Sequence, residues 1–503
     1  MLPDTERLLR DRGSELVFGL VAPVGADLTW LEEKLATLLQ LYGYSPQHIR
    51  LSGLLKKLPD IANDLRETPE VDRINTYMDG GNKLRNRAQT GEVLALWAIS
   101  EIYQKRQAVC ASNPDRAFRT AYILRSIKHP DEARALRAAY GPGFFLISIS
   151  VSRSERISYL KQKGMSEEQA IEVINRDAGE ANDYGQQTRD AFQLADVFIR
   201  QEREHHRTIE QLQRFLDLVF GSPHLTPTPD EHAMFLAYAS SLRSGDLSRQ
   251  VGAVIWRDQI GVVATGCNDV PAPRGGLQWA GPEDQRDHVL GHDANETHKL
   301  EIAFEIASRV QLALGLEDAD LAKIEAAVKE TRLLDITEYG RAVHAEMDAL
   351  LNCTRVGIDT RESTLFSTTF PCHNCAKHIV AAGIKRVVYI EPYEKSKAID
   401  LHGDAIIVDD HGESTVQTGA KVVFTPFVGV GPRRYFDLFS MKLSHGYQIK
   451  RKLKGGAKTD WSRDDAIARV PMLPTSYIER EALLGSSVSD LIEDSDGQNQ
   501  DQA

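Results

Sequence analysis

Four residues in the second half of the chain have the types and spacing of a zinc site. His344 stands two positions before Glu346, and Cys372 and Cys375 follow within a Pro-Cys-His-Asn-Cys segment. Zn²⁺ takes nitrogen and sulfur ligands tetrahedrally, and a catalytic zinc site keeps its fourth position for water. One imidazole and two thiolates therefore predict that His344, Cys372 and Cys375 hold one Zn²⁺.

The carboxyl group of Glu346 is the predicted proton carrier of this site. A carboxylate that lies over a metal-activated water can move a proton from that water to the substrate. The pattern His-x-Glu followed by Pro-Cys-x-x-Cys is similar to the signature of zinc-dependent nucleobase deaminases. The alternatives are a structural zinc site and a redox Cys-x-x-Cys, but a structural site would use a fourth ligand and need no glutamate beside the histidine.

Short apolar runs and amphipathic segments predict the elements that position these residues. Strands are predicted at 251–255, 261–266, 364–369 and 386–390, and a helix at 374–382. The cysteines fall at the start of that helix, where the helix dipole favours thiolates. Residues 275–335 are polar and then helical, and we interpret them as an insertion.

Residues 1–222 have the pattern of a separate α/β unit. Strands are predicted at 14–25, 143–150 and 194–199, and a charged helix at 167–183. The first strand ends in glycine and proline and is followed by leucines at helical spacing, with a capping box predicted at 29–32. A strand, a glycine turn and a helix are the usual opening of a βαβ unit.

The turn between Gly19 and Gly25 is a degenerate form of the phosphate-binding loop. The loop pattern places Lys and Ser or Thr after its second glycine, where this chain has Ala26 and Asp27. Three interpretations stay open: active phosphotransfer, nucleotide sensing with Gly19 and Gly25 as binding residues, and a structural strand–helix turn. Arg119, Arg125 and Arg153 either contact anions in this domain or lie on its solvated surface.

Composition narrows the class of protein. A length of 503 residues suggests two or three domains, at roughly 100–200 residues each. The net charge of −12 disfavours non-specific binding to nucleic acid or anionic membranes, and five cysteines are no disulfide framework. No apolar stretch reaches the ~18 residues of a membrane helix, and the first residues lack a signal-peptide pattern, so a cytoplasmic protein without membrane contacts is expected.

We predict three segments along the chain. Residues 1–222 form the N-terminal domain and residues 223–445 the zinc-binding domain. Residues 446–503 begin with a basic run at 450–458, which fits a solvated face or a binding surface for RNA or phosphate. From residue 485 the chain is acidic and polar, and a disordered tail is expected.

Several segments, in chain order, resemble the deoxycytidylate (dCMP) deaminase family. They are residues 235–246, 250–254, 265–271, 344–346, 370–377 and 382–385. The resemblance implies a cytidine-deaminase-like α/β/α sandwich, one zinc per site and a deoxycytidine nucleotide as substrate. Relatives of this kind are commonly hexamers, so a homo-oligomer is implied as well.

The same resemblance implies roles for residues outside the zinc motif. Asn268 would hydrogen-bond the deoxyribose, Arg243 and Arg249 would contact phosphate, and Tyr393 would close over the pyrimidine. The chain departs from the family at the neighbours of Asn268. Cys267 and Asp269 stand where the family usually has tyrosine and glycine.

The order of the two domains resembles bacterial anti-phage dCTP deaminases. Matching stretches lie at 77–85, 121–132, 176–177 and 185–186. This resemblance implies an N-terminal P-loop-kinase-like α/β sandwich ahead of the deaminase domain. It also implies a zinc enzyme that drains the dCTP or dCMP pool during infection, with the N-terminal domain regulatory and held by an inhibitory RNA or protein.

Other functions remain open. One is a deaminase that edits cytosine or adenine in RNA or single-stranded DNA, although the chain lacks interleaved basic and aromatic residues. Another is a housekeeping dCMP deaminase of pyrimidine deoxynucleotide synthesis, and a third is a nucleotide sensor without catalysis. Within the insertion, a second structural zinc or a substrate lid is conceivable at His288, His292, Asp293 and His298.

Overall fold

The computed structural model divides the chain into two compact units. The residues that it describes are 14–112, 119–179, 185, 187–392, 396–409, 421–453, 455–470 and 477–485. The first unit combines Met1–Glu231 with Phe427–Ala503, and the second unit is His232–Pro426. These boundaries differ from the predicted ones, because the chain returns to the first unit already at Phe427.

A six-stranded sheet forms the centre of the first unit. Its strands are β1 (Leu16–Val21), β2 (Ser45–Arg50), β3 (Thr120–Arg125), β4 (Phe144–Ser150), β5 (Val197–Arg200) and β12 (Gly429–Val430). The order across the sheet is β12–β5–β4–β1–β3–β2, and only β12 runs antiparallel to its neighbour. The strands predicted at 14–25, 143–150 and 194–199 are therefore confirmed as β1, β4 and β5.

Helices cover both faces of this sheet, as a parallel sheet requires. They are α1 (Leu28–Gln40), α2 (Pro59–Ala62), α3 (Glu70–Ala88), α4 (Val93–Ser112), α5 (Pro130–Tyr140), α6 (Arg153–Gln162), α7 (Glu167–Ala178), α8 (Thr188–Phe192), α9 (His206–Val219) and α17 (Tyr435–Phe439). Among the described residues of the whole chain, no helix is both long and apolar enough to cross a membrane.

The start of α1 differs from the predicted capping box at 29–32. The N-cap is Asp27, whose Oδ1 accepts a hydrogen bond from the backbone N–H of Trp30 at 3.1 Å. Gly19 lies inside β1 and not in the turn that follows. A Cβ there would lie 2.5 Å from Cδ1 of Ile127, so this glycine makes room for core packing.

Two contacts explain why the C-terminal segment belongs to the first unit. The backbone N–H of Val430 donates to the Glu231 carboxylate at 2.9 Å, beside the pairing of β12 with β5. Further on, buried Glu481 pairs with buried Arg106, which also binds Glu15 at 2.8 Å. The acidic residues after 485 lie outside the described part of the chain.

The second unit is built on a mixed sheet. Its strands are β6 (Gly252–Arg257), β7 (Gly261–Cys267), β8 (Thr364–Thr369), β9 (Arg386–Glu391), β10 (Ile406–Val408) and β11 (Val422–Pro426). They are ordered β10–β11–β9–β8–β6–β7, with β6 antiparallel to both of its neighbours. The strands predicted at 251–255 and 261–266 are confirmed as β6 and β7, and those predicted at 364–369 and 386–390 are confirmed as β8 and β9.

Helices of this unit carry the predicted zinc ligands and fill the 275–335 segment. They are α10 (Pro229–Ser241, which begins in the first unit), α11 (Asp287–Leu290), α12 (Ala294–Leu314), α13 (Asp318–Lys329), α14 (Ala345–Arg355), α15 (His373–Ala381) and α16 (Ala398–His402). The helix predicted at 374–382 is confirmed as α15, displaced by one residue.

Two glycines allow helices to approach the second sheet closely. A Cβ on Gly266 of β7 would lie 2.5 Å from the backbone nitrogen of Ala349 and closer still to the carbonyl of Ala345, both in α14. A Cβ on Gly252 of β6 would meet the backbone of α10 in the same way. The backbone of a packed helix cannot give way like a flexible side chain, so these positions set the helix–sheet distance.

We predict that Gly266→Ala lowers the stability of the second unit and displaces α14. Overpacking against backbone costs about 2 kcal/mol, which corresponds to a thermal midpoint lower by roughly 4–8 °C in a unit of this size. Scanning calorimetry measures the midpoint, and metal analysis of the same samples measures zinc content. The control is Gly281→Ala, because a Cβ there meets no atom within 4 Å. Equal midpoints and equal zinc content in the two variants would contradict the prediction.

Candidate active site

The three predicted zinc ligands converge at the starts of two helices. His344 is the N-cap of α14, and Cys372 is the N-cap of α15. The Nδ1 atom of His344 lies 3.3 Å from Sγ of Cys372 and 3.4 Å from Sγ of Cys375. All three ligand atoms lie within 4.8 Å of one another, as the corners of a tetrahedral metal site do.

The donor set fits Zn²⁺ in both number and type. One imidazole and two thiolates are the soft and borderline ligands that zinc takes, and three of them leave one position for water. Hydrogen bonds from Cys375 and from His344 lower the pKa of Cys372 to about 4, although burial opposes the shift. Cys372 is therefore a thiolate at neutral pH and ready to bind a cation.

No second zinc site forms from the histidines of the insertion. Over the described residues, the only three ligand atoms that come this close are those of the site above. The ring of His288 contacts the carbonyl of Gly245, and the ring of His298 binds Glu301. The Nδ1 atom of His292 lies 3.5 Å from the carbonyl oxygen of Leu290.

Glu346 lies beside the ligands and is almost fully buried. It occupies the first turn of α14, its side chain is buried, and Oε2 accepts a hydrogen bond from Sγ of Cys375 at 3.4 Å. Burial raises the pKa of Glu346 above that of an ordinary glutamate. A carboxyl group with a raised pKa takes up and releases protons more readily near neutral pH, which suits a proton carrier.

A cavity of about 220 Å³ opens onto three of these four side chains, the exception being Cys375. The predicted substrate residues Asn268 and Arg249 line it, and Arg243 does not. Tyr393 lies outside the described residues. The structure thus brings Asn268 and Arg249 together with the zinc motif, whereas the direction of Arg243 is set by other contacts.

The amide of Asn268 binds the backbone that carries Arg249. Its Oδ1 accepts from the N–H of Val251 at 2.7 Å, and its Nδ2 donates to the carbonyl of Arg249 at 2.9 Å. Arg249 itself lies at the rim, with 45% of its side chain exposed and NH1 3.2 Å from Glu391. Asn268 therefore fixes the backbone at the cavity rim that carries the positively charged side chain of Arg249.

Arg243 points into a different groove of the same unit. Its guanidinium lies 3.8 Å from the ring centroid of Trp279 and donates to the carbonyls of Leu277 and Gln278. It also donates to Sγ of Cys267 at 3.3 Å. The small cysteine, where the family usually has a tyrosine, accepts this hydrogen bond from Arg243 away from the cavity.

Sequence reasoning noted Asp269 as a departure from the family but did not find its role. Its buried carboxylate accepts from the backbone N–H of Gly245 at 3.2 Å and from Arg286 at 3.3 Å. Its backbone forms two hydrogen bonds with Val343, the residue before His344. Asp269 therefore joins the inserted segment to the chain that enters α14.

A further residue of the cavity, Arg341, was missed from the sequence. Arg341 lines the cavity and pairs with Asp287, NH1 to Oδ1, at 2.6 Å. Asp287 belongs to the insertion and lines the same cavity. The only sequence signal of Arg341 is its closeness to His344 and to the insertion, so its contact with Asp287 comes from tertiary structure.

The turn that holds Gly25 belongs to the first unit. Gly25 has φ of 92°, and a Cβ there would lie 2.8 Å from Cβ of Arg156, so a glycine is required. It lines a separate cavity of the first unit, whereas Gly19 is buried within β1.

The second unit is similar to known deaminases. The family model described as the cytidine and deoxycytidylate deaminase zinc-binding region matches residues 227–391. The deoxycytidylate deaminase of Enterobacteria phage T2 is 32% identical over 166 residues, which are 32% of this chain and 79% of that protein. The human deoxycytidylate deaminase is 26% identical over 205 residues, or 41% of this chain and 78% of that protein.

Among solved structures, the dCMP deaminase from cyanophage S-TIM5 in complex with dCMP and dUMP is similar over 40% of this chain and 99% of its own. Its sequence is 20% identical, and the TM-score is 0.23.

The matched region contains the whole site. His344, Glu346, Cys372 and Cys375 all lie within residues 227–391, and the family is zinc-binding. Zn²⁺ is therefore the cofactor of this site, and the second unit has a cytidine-deaminase-like α/β fold. With the phage relative matched over most of its length, the chain belongs to the deoxycytidylate deaminase family.

Proposed function

We propose that the second unit hydrolytically deaminates a free deoxycytidine nucleotide, dCTP, dCMP or both, to the deoxyuridine nucleotide. The observation that carries the proposal is the buried carboxyl of Glu346 against three zinc ligands, in a cavity that Asn268 and Arg249 also line. The relatives named as deoxycytidylate deaminases support the base and the sugar. Arg249 and Arg341 supply positive charge for the phosphate.

The residues around the cavity account for the chemistry. When bound, Zn²⁺ supplies a water of lowered pKa, about 7. Glu346 takes a proton from this water and delivers it to ring nitrogen N3 of cytosine, while the water oxygen bonds to C4. Glu346 would then take the proton of the C4 hydroxyl and pass it to the amino group, as the bond between C4 and nitrogen breaks and the C4 carbonyl forms. One water is consumed and one ammonia leaves.

We predict that Glu346→Gln retains zinc and fold but loses turnover by about 10²–10⁴-fold, because glutamine cannot carry a proton. Chromatography of reactions with dCMP, dCTP, CMP, cytidine and a cytosine-containing DNA oligomer measures conversion. The control is Glu330→Gln, an exposed glutamate of the same unit, which should leave turnover unchanged. Cys372→Ser should lose both zinc and turnover.

The substrate panel separates the proposed function from its alternatives. Conversion of dCMP or dCTP that disappears in Glu346→Gln supports the proposal and identifies the preferred phosphate. Conversion of the DNA oligomer alone would contradict it in favour of an editing enzyme. Zinc-loaded protein that converts nothing, with or without the first unit, would contradict catalysis in favour of a nucleotide sensor.

We predict that Arg249→Gln raises the KM for the preferred nucleotide about tenfold or more. The cause is the loss of a charged hydrogen-bond donor to phosphate, so kcat and the KM for cytidine should change little. Steady-state kinetics on nucleotide and nucleoside give both values. The comparison variant is Arg243→Gln, whose side chain lies in the groove with Trp279 and should leave the nucleotide KM unchanged. A larger effect at Arg243 would instead place the phosphate there.

We propose that the first unit is regulatory and P-loop-kinase-like, and that the enzyme depletes deoxycytidine nucleotides in anti-phage defence. Two observations support a separate role. The first unit has its own sheet and core, and apart from residues 227–231 it lies outside the region that the deaminase family matches. An enzyme that drains a precursor of DNA also needs restraint in an uninfected host. An inhibitory RNA or protein on the first unit would provide it.

If the first unit restrains the second, a chain of residues 223–426 should turn over its nucleotide faster than the full chain. This segment ends at Pro426, the last residue of the second unit. It therefore does not include strand β12, whose partner β5 lies in the first unit. Turnover is expressed per bound zinc, so that unfolded protein does not count. Equal turnover of both chains, in the presence and absence of cell RNA, would contradict restraint by the first unit.

A further inference from the structure

A second cavity, of about 160 Å³, lies in the first unit beside the Gly25 turn. Helix α3, helix α6 and the ends of β2 and β3 contribute to its walls. Arginines Arg50, Arg73 and Arg125 line it, together with the aromatic rings of Tyr77 and Tyr159. A cavity of about 150 Å³ is large enough to take up a benzene ring, so this one has room for a planar ligand group.

The arginines place more positive charge in this cavity than the protein neutralises. Arg73 is bound by Glu70 at 2.6 Å through two hydrogen bonds, and Arg125 by one oxygen of Glu32 at 3.2 Å. Arg50 has an exposed side chain that donates to the hydroxyl of Ser52 and lies 5.8 Å from the ring centroid of Tyr77. No carboxylate of the described residues lies within 4.0 Å of it.

Two buried N–H groups of the same cavity also lack an acceptor. The Nε atoms of Arg85 and Arg125 are shielded from solvent and make no hydrogen bond among the described residues. Arg85 otherwise binds Glu132 at 3.0 Å with both side chains buried. An unsatisfied buried donor costs free energy, and more so on a charged group, so an anionic acceptor in the cavity would relieve it.

Backbone N–H groups of the Gly25 turn that could bind an anion are already hydrogen-bonded within the protein. The N–H of Val24 donates to Asp177 at 2.7 Å and the N–H of Asp27 to Gln201 at 3.0 Å. The N–H of Trp30, at the start of α1, donates to Asp27. Phosphate-binding loops work because such N–H groups are free for phosphate oxygens. Here these three N–H groups already have acceptors within the protein, and the arginines that line the cavity remain for an anion.

We propose that this cavity binds a nucleoside monophosphate or a similar phosphomonoester with a planar ring, its phosphate on Arg50 and Arg125. Arginine is suited to the phosphate because its planar donors match two oxygens at once. Tyr77 and Tyr159 offer faces and edges for the ring, beside apolar side chains such as Leu55 and Ile74. A ligand of this kind rests on the proposed regulatory role of the first unit, and its binding is measured without deamination.

The test is isothermal titration of the full chain, as the Glu346→Gln variant so that no nucleotide is turned over. The probes are the four deoxynucleoside monophosphates with adenine, guanine, cytosine or thymine, plus inorganic phosphate and deoxyadenosine. We expect at least one monophosphate to bind more tightly than phosphate or the nucleoside. Arg50→Gln should weaken that binding about tenfold or more, while Arg50→Lys should weaken it less.

The matched control is Arg207→Gln, an exposed arginine of the same unit, which should bind as the parent does. Thermal midpoints without ligand show whether each variant is folded. The proposal is overturned if no monophosphate binds with an affinity that depends on Arg50, or if inorganic phosphate binds as tightly as every nucleotide. Nucleotide binding at the zinc site does not involve Arg50, so failure of the deaminase assignment and failure of this proposal give different results.

Discussion

The close packing of helix α14 on strand β7 is the contact on which the zinc site depends. His344 is separated from Cys372 by 28 positions and from Cys375 by 31, yet the three ligand atoms lie within 4.8 Å of one another. The sheet determines where α14 and α15 begin, and the absence of a side chain at Gly266 determines how deeply α14 sits. Because an active site tolerates little displacement, a shift of one helix by about 1 Å would separate its two halves.

A second set of contacts positions the residues at the rim of the cavity, whereas the packing of α14 positions the metal ligands. Asn268 and Asp269 are neighbours in sequence with different partners. Asn268 binds the backbone around Arg249, and Asp269 binds Arg286 of the inserted segment together with the backbone before His344. Buried polar groups must find partners, so these side chains tie separate segments to one place. The insertion is thereby part of the cavity wall.

Positive charge is concentrated in one part of this protein, although the net charge of the whole chain is negative. The chain has a net charge of −12, yet the first unit gathers arginines around one cavity and buries two of its charged side chains, Arg85 and Arg106, with carboxylates. A buried arginine is stable only with partners, and those partners consume most of the excess charge. What is left over lies at Arg50, whose side chain is exposed, and at the buried Nε atoms of Arg85 and Arg125, which have no acceptor among the described residues.

The sequence by itself determined the chemistry of the site and the order of its elements. The ligand types and the glutamate beside the histidine are local, and the strands β1, β4, β6, β7 and β8 are continuous apolar or alternating runs. Strand β2, Ser-Pro-Gln-His-Ile-Arg, has no such pattern and forms because β3 offers it a partner. The two-residue β12 is likewise a strand only through β5.

Only tertiary structure decided where long polar side chains point and where the chain changes unit. Arg243 and Arg249 are six positions apart and equally basic, yet one faces Trp279 and the other the cavity, because their directions depend on carbonyls and carboxylates that are distant in sequence. The same holds for Asp269 with Arg286 and for the return of the chain at Phe427. The chemical groups of a residue follow from the sequence, whereas the partners that those groups contact are set by how distant segments fold together.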